Sequence, residues 1–599
     1  MLRNNYAAFA AFVAVLSSSA LGGLVLKAQE SPDKPPASRI HTAPENTDVK
    51  PWRSALYPED WKPGFRDSEG RFLHDFSYAG YHRGDVPLPV APYHKNAVII
   101  DVTQAPYLAD KTGAADATEA IQKALDAAAQ SKDGAVVLMP AGIYKIAPPE
   151  GKDVALRLTG DRVVFRGEGV DKTFLYTDTI KMRGKTLLRV RADAPLKPLE
   201  WGAEGPGVPS TLVTADLPNQ AETIPVADTS QFAVGDTVVV RSDLTQRFID
   251  ELKMTDKWKP AAGLSPNRTL MFCRHITAVD ATAKTIRLDT PIRYPMKTAD
   301  LARVVKIPGH AITESGLEDF SIGMKKHPGG SVPAETATTP PAKFGDEEDY
   351  NKPGTLGYDV HGSTAISISN AENCWMRRVN SYAPAGNTED VHLLSNGFRL
   401  TRTRCVTVTD CDWKCTQYKG GGGNGYLYTV HGQENLLINC RAERARHNYS
   451  FGTMWSSGNV ISKFYAKDGN LACDFHMFLS MSNLLDNITC EGDFLEARYY
   501  RPWGGNPIHG LTTTQSVFWN TNGLRYSKEK AVLVVSHQYG DGYVIGTRGP
   551  ECRVDSSDFV EGIGLSAALV PQSLYADQLE RRRKRDAGTG TGTAAAVAP

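Results

Sequence analysis

The sequence predicts an all-β repeat fold, a stack of parallel rungs, and three observations carry that prediction. Short apolar strands recur between positions 360 and 560 with turn residues between them. Three of them align on a shared asparagine, and Asn435, Asn459 and Asn483 lie 24 and 24 residues apart. The 599-residue chain also holds 53 Gly and 36 Pro, which suits a turn-rich β architecture better than a helical bundle. A rung of this size cannot bury its own apolar side, so stacking must supply the core. Asn373, the segment Arg402 to Val406, and Gln515 to Phe518 extend the series on either side.

Composition narrows the function classes. Hydrophobic residues at 41% and charged residues at 22% describe a globular chain and exclude wholesale disorder. With 67 basic and 67 acidic side chains there is no overall pull on nucleic acid. Nine cysteines are too few for a disulfide scaffold and odd in number, so buried thiols or one or two disulfides are expected. Cys411 and Cys415 have no second pair at zinc-ligand spacing.

The ends read as separable segments. Residues 1–28 have a charged Arg3, an apolar run from Ala7 to Leu16 and small residues to Ala20, the layout of a signal peptide. The expected location is secreted or periplasmic, with no membrane partner once the signal is removed. Residues 29–95 are expected to be a linker and extended arm, and 576–599 a disordered tail whose Arg581 to Arg585 run is solvated.

Residues 96–202 are assigned to a capping helix and the first rungs. Val98 to Ile100 is strand-like. Asp116 is the expected N-cap of a helix, with Glu119 three residues on. Ile121, Ala124, Leu125 and Ala128 then share one helical face. Ala135 to Met139 follows as a buried strand, closed by the Pro140 to Gly142 turn. Residues 203–300 hold several short strands read as an inserted small antiparallel β subdomain. Residues 301–575 are the main stack, with a long loop without apolar periodicity at 326–357.

The ordered pattern Asp101-Val102, Ala120-Ile121-Gln122, Ala124 to Ala128, and Pro140 to Tyr144 resembles the opening of the pectate lyase superfamily. Asp110 to Asp116 departs from the usual turn of that family. The resemblance implies a right-handed parallel β-helix with a short N-terminal capping helix. It says little about reaction type, because that fold hosts lyases, hydrolases and transferases.

Candidate chemistry concentrates in 441–510, where the 24-residue period stacks Ser450 on Asp474. Arg446, His447, Asp474 and His476 are the expected catalytic residues. Histidine suits a base near neutral pH, and arginine would neutralise a sugar carboxylate. Glu443, Arg444, Tyr449, Trp455, Asp493, Glu496, Arg498, Trp503 and His509 are the expected substrate-binding residues, with aromatic faces matched to sugar rings. The Gly420 to Gly425 loop with His431 is read as edging the groove. Calcium is the one cofactor considered, since lyases of this fold use it. The candidate cluster is His361 with Glu389, Asp390 and His392, in which the Asp and Glu oxygens are the expected calcium ligands, at a spacing that is not diagnostic.

These features predict a secreted polysaccharide-degrading enzyme, first a lyase that cleaves an acidic polysaccharide by β-elimination. One alternative is a glycoside hydrolase or glycosyl-transferring enzyme that pairs Asp474 with a second carboxylate. Another is a non-enzymatic carbohydrate-binding β-helix. The expected partner is a polysaccharide and not nucleic acid. Oligomeric state is left open.

Overall fold

The computed structural model describes residues 37–91, 93–94, 96–259, 269–329, 349–501 and 509–588. The signal segment, most of the 326–357 loop, Trp503 and the last eleven residues lie outside the described residues.

Each rung of the stack carries three parallel strands. One complete rung runs through Leu436–Ile438, Arg441–Glu443 and His447–Phe451. The next runs through Val460–Ser462, Tyr465–Lys467 and Cys473–Phe475. Leu436 pairs with Val460 and Val460 with Leu484. Arg441 pairs with Tyr465 and Tyr465 with Thr489. The 24-residue spacing is therefore one turn of the right-handed parallel β-helix. The aligned asparagines form a buried ladder inside it. Asn435 N–H donates to Asn459 Oδ1 at 3.1 Å, and Asn459 N–H donates to Asn483 Oδ1 at 3.1 Å. The asparagine amides thus satisfy turn backbone groups that the strand ladders leave over.

Inside, alternate residues of each strand fill one continuous core. Phe451 stacks on Phe475 with ring centroids 4.9 Å apart, one rung on the next. The Thr118–Ala128 helix covers the first rungs with Ile121, Ala124, Leu125 and Ala128 buried. The N-cap is Ala117 and not the expected Asp116, which lies one residue earlier and accepts the Thr118 N–H at 2.7 Å.

The inserted subdomain is a six-stranded antiparallel sheet built from segments between Ser210 and Lys306. It has its own apolar core, and that core continues into Met454, Phe478, Leu479, Met481 and Leu511 of the β-helix. Buried ions fix the junction. Glu434 receives Arg293 at 2.7 Å and Arg274 at 3.3 Å, and all three side chains are fully buried.

Two expectations about the chain ends fail. The arm before residue 95 is packed down: Leu56, Tyr57, Trp61, Leu73 and Phe76 are buried against Leu436, Val460, Leu484 and Val517. The outer face of that strand ladder is apolar and has to be covered. The tail is not disordered as far as residue 588. Leu574–Gly588 is a helix whose Leu574 and Tyr575 join the same cover. Arg582 in it is buried, bonded to Ser77 Oγ at 3.0 Å and paired with Asp85 at 2.7 Å. All nine cysteines are free and buried.

Candidate active site

One face of the stack is a long parallel sheet whose strands include Thr364–Ser369, Asn396–Arg404, Tyr426–Gln433, His447–Phe451, Cys473–Phe475, Leu495–Ala497 and Val534–Ser536. Residues between core positions point outward. Register then stacks Arg399, Thr429, Ser450, Asp474 and Glu496 in one outward column.

Asp474 is the hub. Its Oδ2 accepts the His476 Nδ1–H at 2.9 Å and lies 2.9 Å from Arg501 Nη2 and 3.5 Å from His447 Nδ1. Burial alone would raise this carboxyl. His447, Arg501 and His476 outweigh burial and hold it well below the usual carboxylate range. It stays ionised. Arg501 also reaches Glu496 at 2.5 Å, and Glu496 takes Arg498 at 2.8 Å.

The two expected bases differ. His447 is 1% exposed, donates Nδ1–H to the Ala472 carbonyl at 2.7 Å, and stacks under Tyr426 at 4.8 Å. Burial drives its pKa down to about 3. His476 sits at the sheet surface with its side chain 16% exposed. Burial lowers its pKa and Asp474 opposes the fall. Because Asp474 takes the Nδ1 proton, the neutral ring presents an Nε2 lone pair. His509 lies next to it, ring centroids 5.4 Å apart. Burial and the charges of His476 and Arg501 take its pKa down to about 4.

Arg446 is buried beside this group, its backbone N–H on Gly425 O at 2.9 Å. A Cβ at Gly425 would lie 2.8 Å from Arg446 Cβ, and Gly425 has φ +73°. The glycine loop is thus what lets Arg446 sit close. The same loop edges the sheet through Asn424, which bonds Ser395 at 2.9 Å and His361 at 3.0 Å.

The structure does not bring all the expected residues together. Tyr449 is fully buried in the core, because it shares the inward side of its strand with Phe451. Trp455 is buried among Trp201, Val239 and Met271 at the root of the inserted subdomain. Asp493 is buried in a corner, bonded to Asn448 at 2.7 Å, with its pKa pushed up to about 7 by burial. Glu443 lies on a different ladder, paired in register with Lys414 and Lys467. Arg444 turns away to Asp390. Tyr426 is a residue that sequence reading missed. Its position one rung before His447 was the available signal.

The calcium ligands do not assemble. Asp390 pairs with Arg444 and with His392 at 3.2 Å, and Glu389 with Lys326 at 2.9 Å. His361 stacks on Tyr350 instead. Among the described residues, His447, Asp474 and His476 alone cluster at metal-ligand spacing. Two histidines and one carboxylate do not fit calcium, which takes six to eight oxygens, and Arg501 already occupies the carboxylate.

The sequence profile of the family described as Rhamnogalacturonase A/epimerase, pectate lyase-like, matches residues 103–181. That match bears out the resemblance to the pectate lyase superfamily. No curated protein matches the chain in sequence. Solved structures similar in backbone include the following three. The tailspike protein gp49 from Pseudomonas phage LKA1 is 9% identical, with 75% of each chain covered and a TM-score of 0.35. The mannuronan C-5 epimerase AlgE6 A-module of Azotobacter vinelandii is 10% identical, with 78% of this chain and 94% of that one covered and a TM-score of 0.27. PfbA, a surface adhesin of Streptococcus pneumoniae, is 10% identical, with 78% and 92% covered and a TM-score of 0.31. These likenesses carry no argument about chemistry, which has to come from the side chains.

Proposed function

We propose that the chain is a polysaccharide lyase acting on an acidic polysaccharide, with His476 as the base. The observation that carries this reading is the Asp474–His476 pair on the outward face of the sheet. An ionised carboxylate fixes the ring and leaves Nε2 ready to take a proton. In β-elimination, Nε2 removes the proton from the carbon next to the sugar carboxylate. The freed electron pair forms a carbon–carbon double bond as the glycosidic C–O bond breaks, and the leaving oxygen takes up a proton. Arg446, whose charge bears on His476, and Arg498, which pairs with Glu496, are the arginines assigned to neutralising the substrate carboxylate. Asp474 and Arg501 are positioning residues.

The hydrolase reading has less support. It needs a protonated acid beside a second carboxylate. Asp474 stays ionised, and Asp493, whose pKa burial pushes up to about 7, is buried away from the sheet face. The test is a panel of acidic and neutral polysaccharides read by ultraviolet absorbance and by reducing ends. The proposal expects both signals to rise together on an acidic polymer. Reducing ends without absorbance would assign a hydrolase, and retained binding without product a binding protein.

A further inference from the structure

We infer that the sheet carries a second, anion-binding subsite upstream of His476, formed by Arg191, Arg399 and Arg402, which holds a carboxylate or sulfate of the same polysaccharide chain. This rests on the reading of the sheet face as a polysaccharide groove. Arg399 lies between Phe398 and Leu400, both fully buried in the core, so its side chain points outward. It occupies the same column as Asp474, three rungs earlier by register. At about 4.8 Å per rung that is roughly 14 Å, the span of about three sugar units.

Arg191 follows the Thr186–Val190 strand, and Arg402 follows Thr401 on the Asn396–Arg404 strand. The Trp455 ring holds the Arg402 guanidinium, 5.8 Å from its centroid. Arg191, Arg399 and Arg402 are each half-buried with a buried Nε that has no hydrogen-bond partner among the described residues. None of the three has a carboxylate within ion-pair distance there. Half-buried guanidinium groups without a counter-charge are costly, and an incoming anion supplies the missing partner. Burial lowers the pKa of Arg402, Glu200 opposes this, and Arg191 lowers it further, as expected of two like charges close together. Downstream of the column the sign reverses, with Asp474, Glu496 and Asp555 on successive rungs save one. The groove is therefore polar along its length and selects the direction in which an acidic chain lies.

The test is affinity electrophoresis of the full chain in gels carrying polygalacturonate, alginate, chondroitin sulfate or neutral xylan, with salt varied. Arg399→Gln/Arg402→Gln is compared with wild type, with Arg399→Lys/Arg402→Lys and with His476→Ala, and all are checked for unchanged melting. The Gln variant should bind the acidic polymer that wild type retains at least 10-fold more weakly, with a shallower salt dependence. The Lys variant should recover part of the loss, and His476→Ala should still bind. Equal binding by wild type and the Gln variant, while His476→Ala loses product formation, would overturn the subsite alone. If wild type binds none of the acidic polymers, the groove reading falls and this inference with it.

Discussion

Asp474 accepts the Nδ1–H of His476 at 2.9 Å from a fully buried position, and this one bond decides which nitrogen of the histidine is free to act. Asp474→Asn keeps the size of the side chain and reverses the hydrogen-bond logic. It should lower product formation by about 10² to 10⁴-fold, with an unchanged circular dichroism spectrum. His476→Ala should fall as far. A loss of under threefold in both would remove the pair from the chemistry.

The pH profile follows from the sign of the shift. The lowered pKa of His476 keeps the ring neutral to more acid pH than a free histidine. The acid limb of kcat/KM should therefore lie below the ordinary histidine range. Asp474 is the group that resists this lowering, so Asp474→Asn should move the limb further toward acid. A limb that moves toward neutral pH contradicts the pairing.

Glu434 receives two fully buried guanidinium groups from the inserted subdomain. Glu434→Gln leaves Arg274 and Arg293 buried without the carboxylate that both pair with, at a cost of about 3–5 kcal/mol. The urea midpoint should drop, and backbone amides of the Leu270–Asp280 strand should exchange faster than those of the β-helix core. Uniform acceleration across both would show that the junction is not where the loss falls.

Burial pushes the Asp493 pKa up to about 7, so the folded protein prefers the protonated acid. Its favourable contribution is full below an ordinary carboxylate pKa of about 4 and is lost as pH rises toward about 7. Asp493→Asn cannot ionise. Its melting temperature relative to wild type should climb between about pH 4 and pH 8, and parallel curves would refute this.

The legible part of the fold was its period. Spacing of 24 residues between Asn435, Asn459 and Asn483 was enough to predict the stack and to place Ser450 on Asp474, as the register has it. A period fixes the column of a residue but not its face. Tyr449 and Glu443 were misjudged for that reason: the first points inward by strand alternation, and the second lies on a neighbouring ladder. The arm and the C-terminal helix were hidden differently. Their apolar residues, from Leu56 to Phe76 and at Leu574 and Tyr575, are scattered through polar sequence and make sense only against the apolar outer ladder they cover. The unpaired arginines were invisible for a related reason, since strands from 186 to 404 are joined across the inserted subdomain.

The central claim is that His476 Nε2 takes the proton in an elimination. The direct measurement is ultraviolet absorbance of new chain ends, recorded for wild type and His476→Ala side by side on the acidic polymers. The account predicts rising absorbance with wild type on at least one polymer and a loss of 100-fold or more with His476→Ala. Absorbance that rises equally in both, or reducing ends that appear without it, would contradict the account.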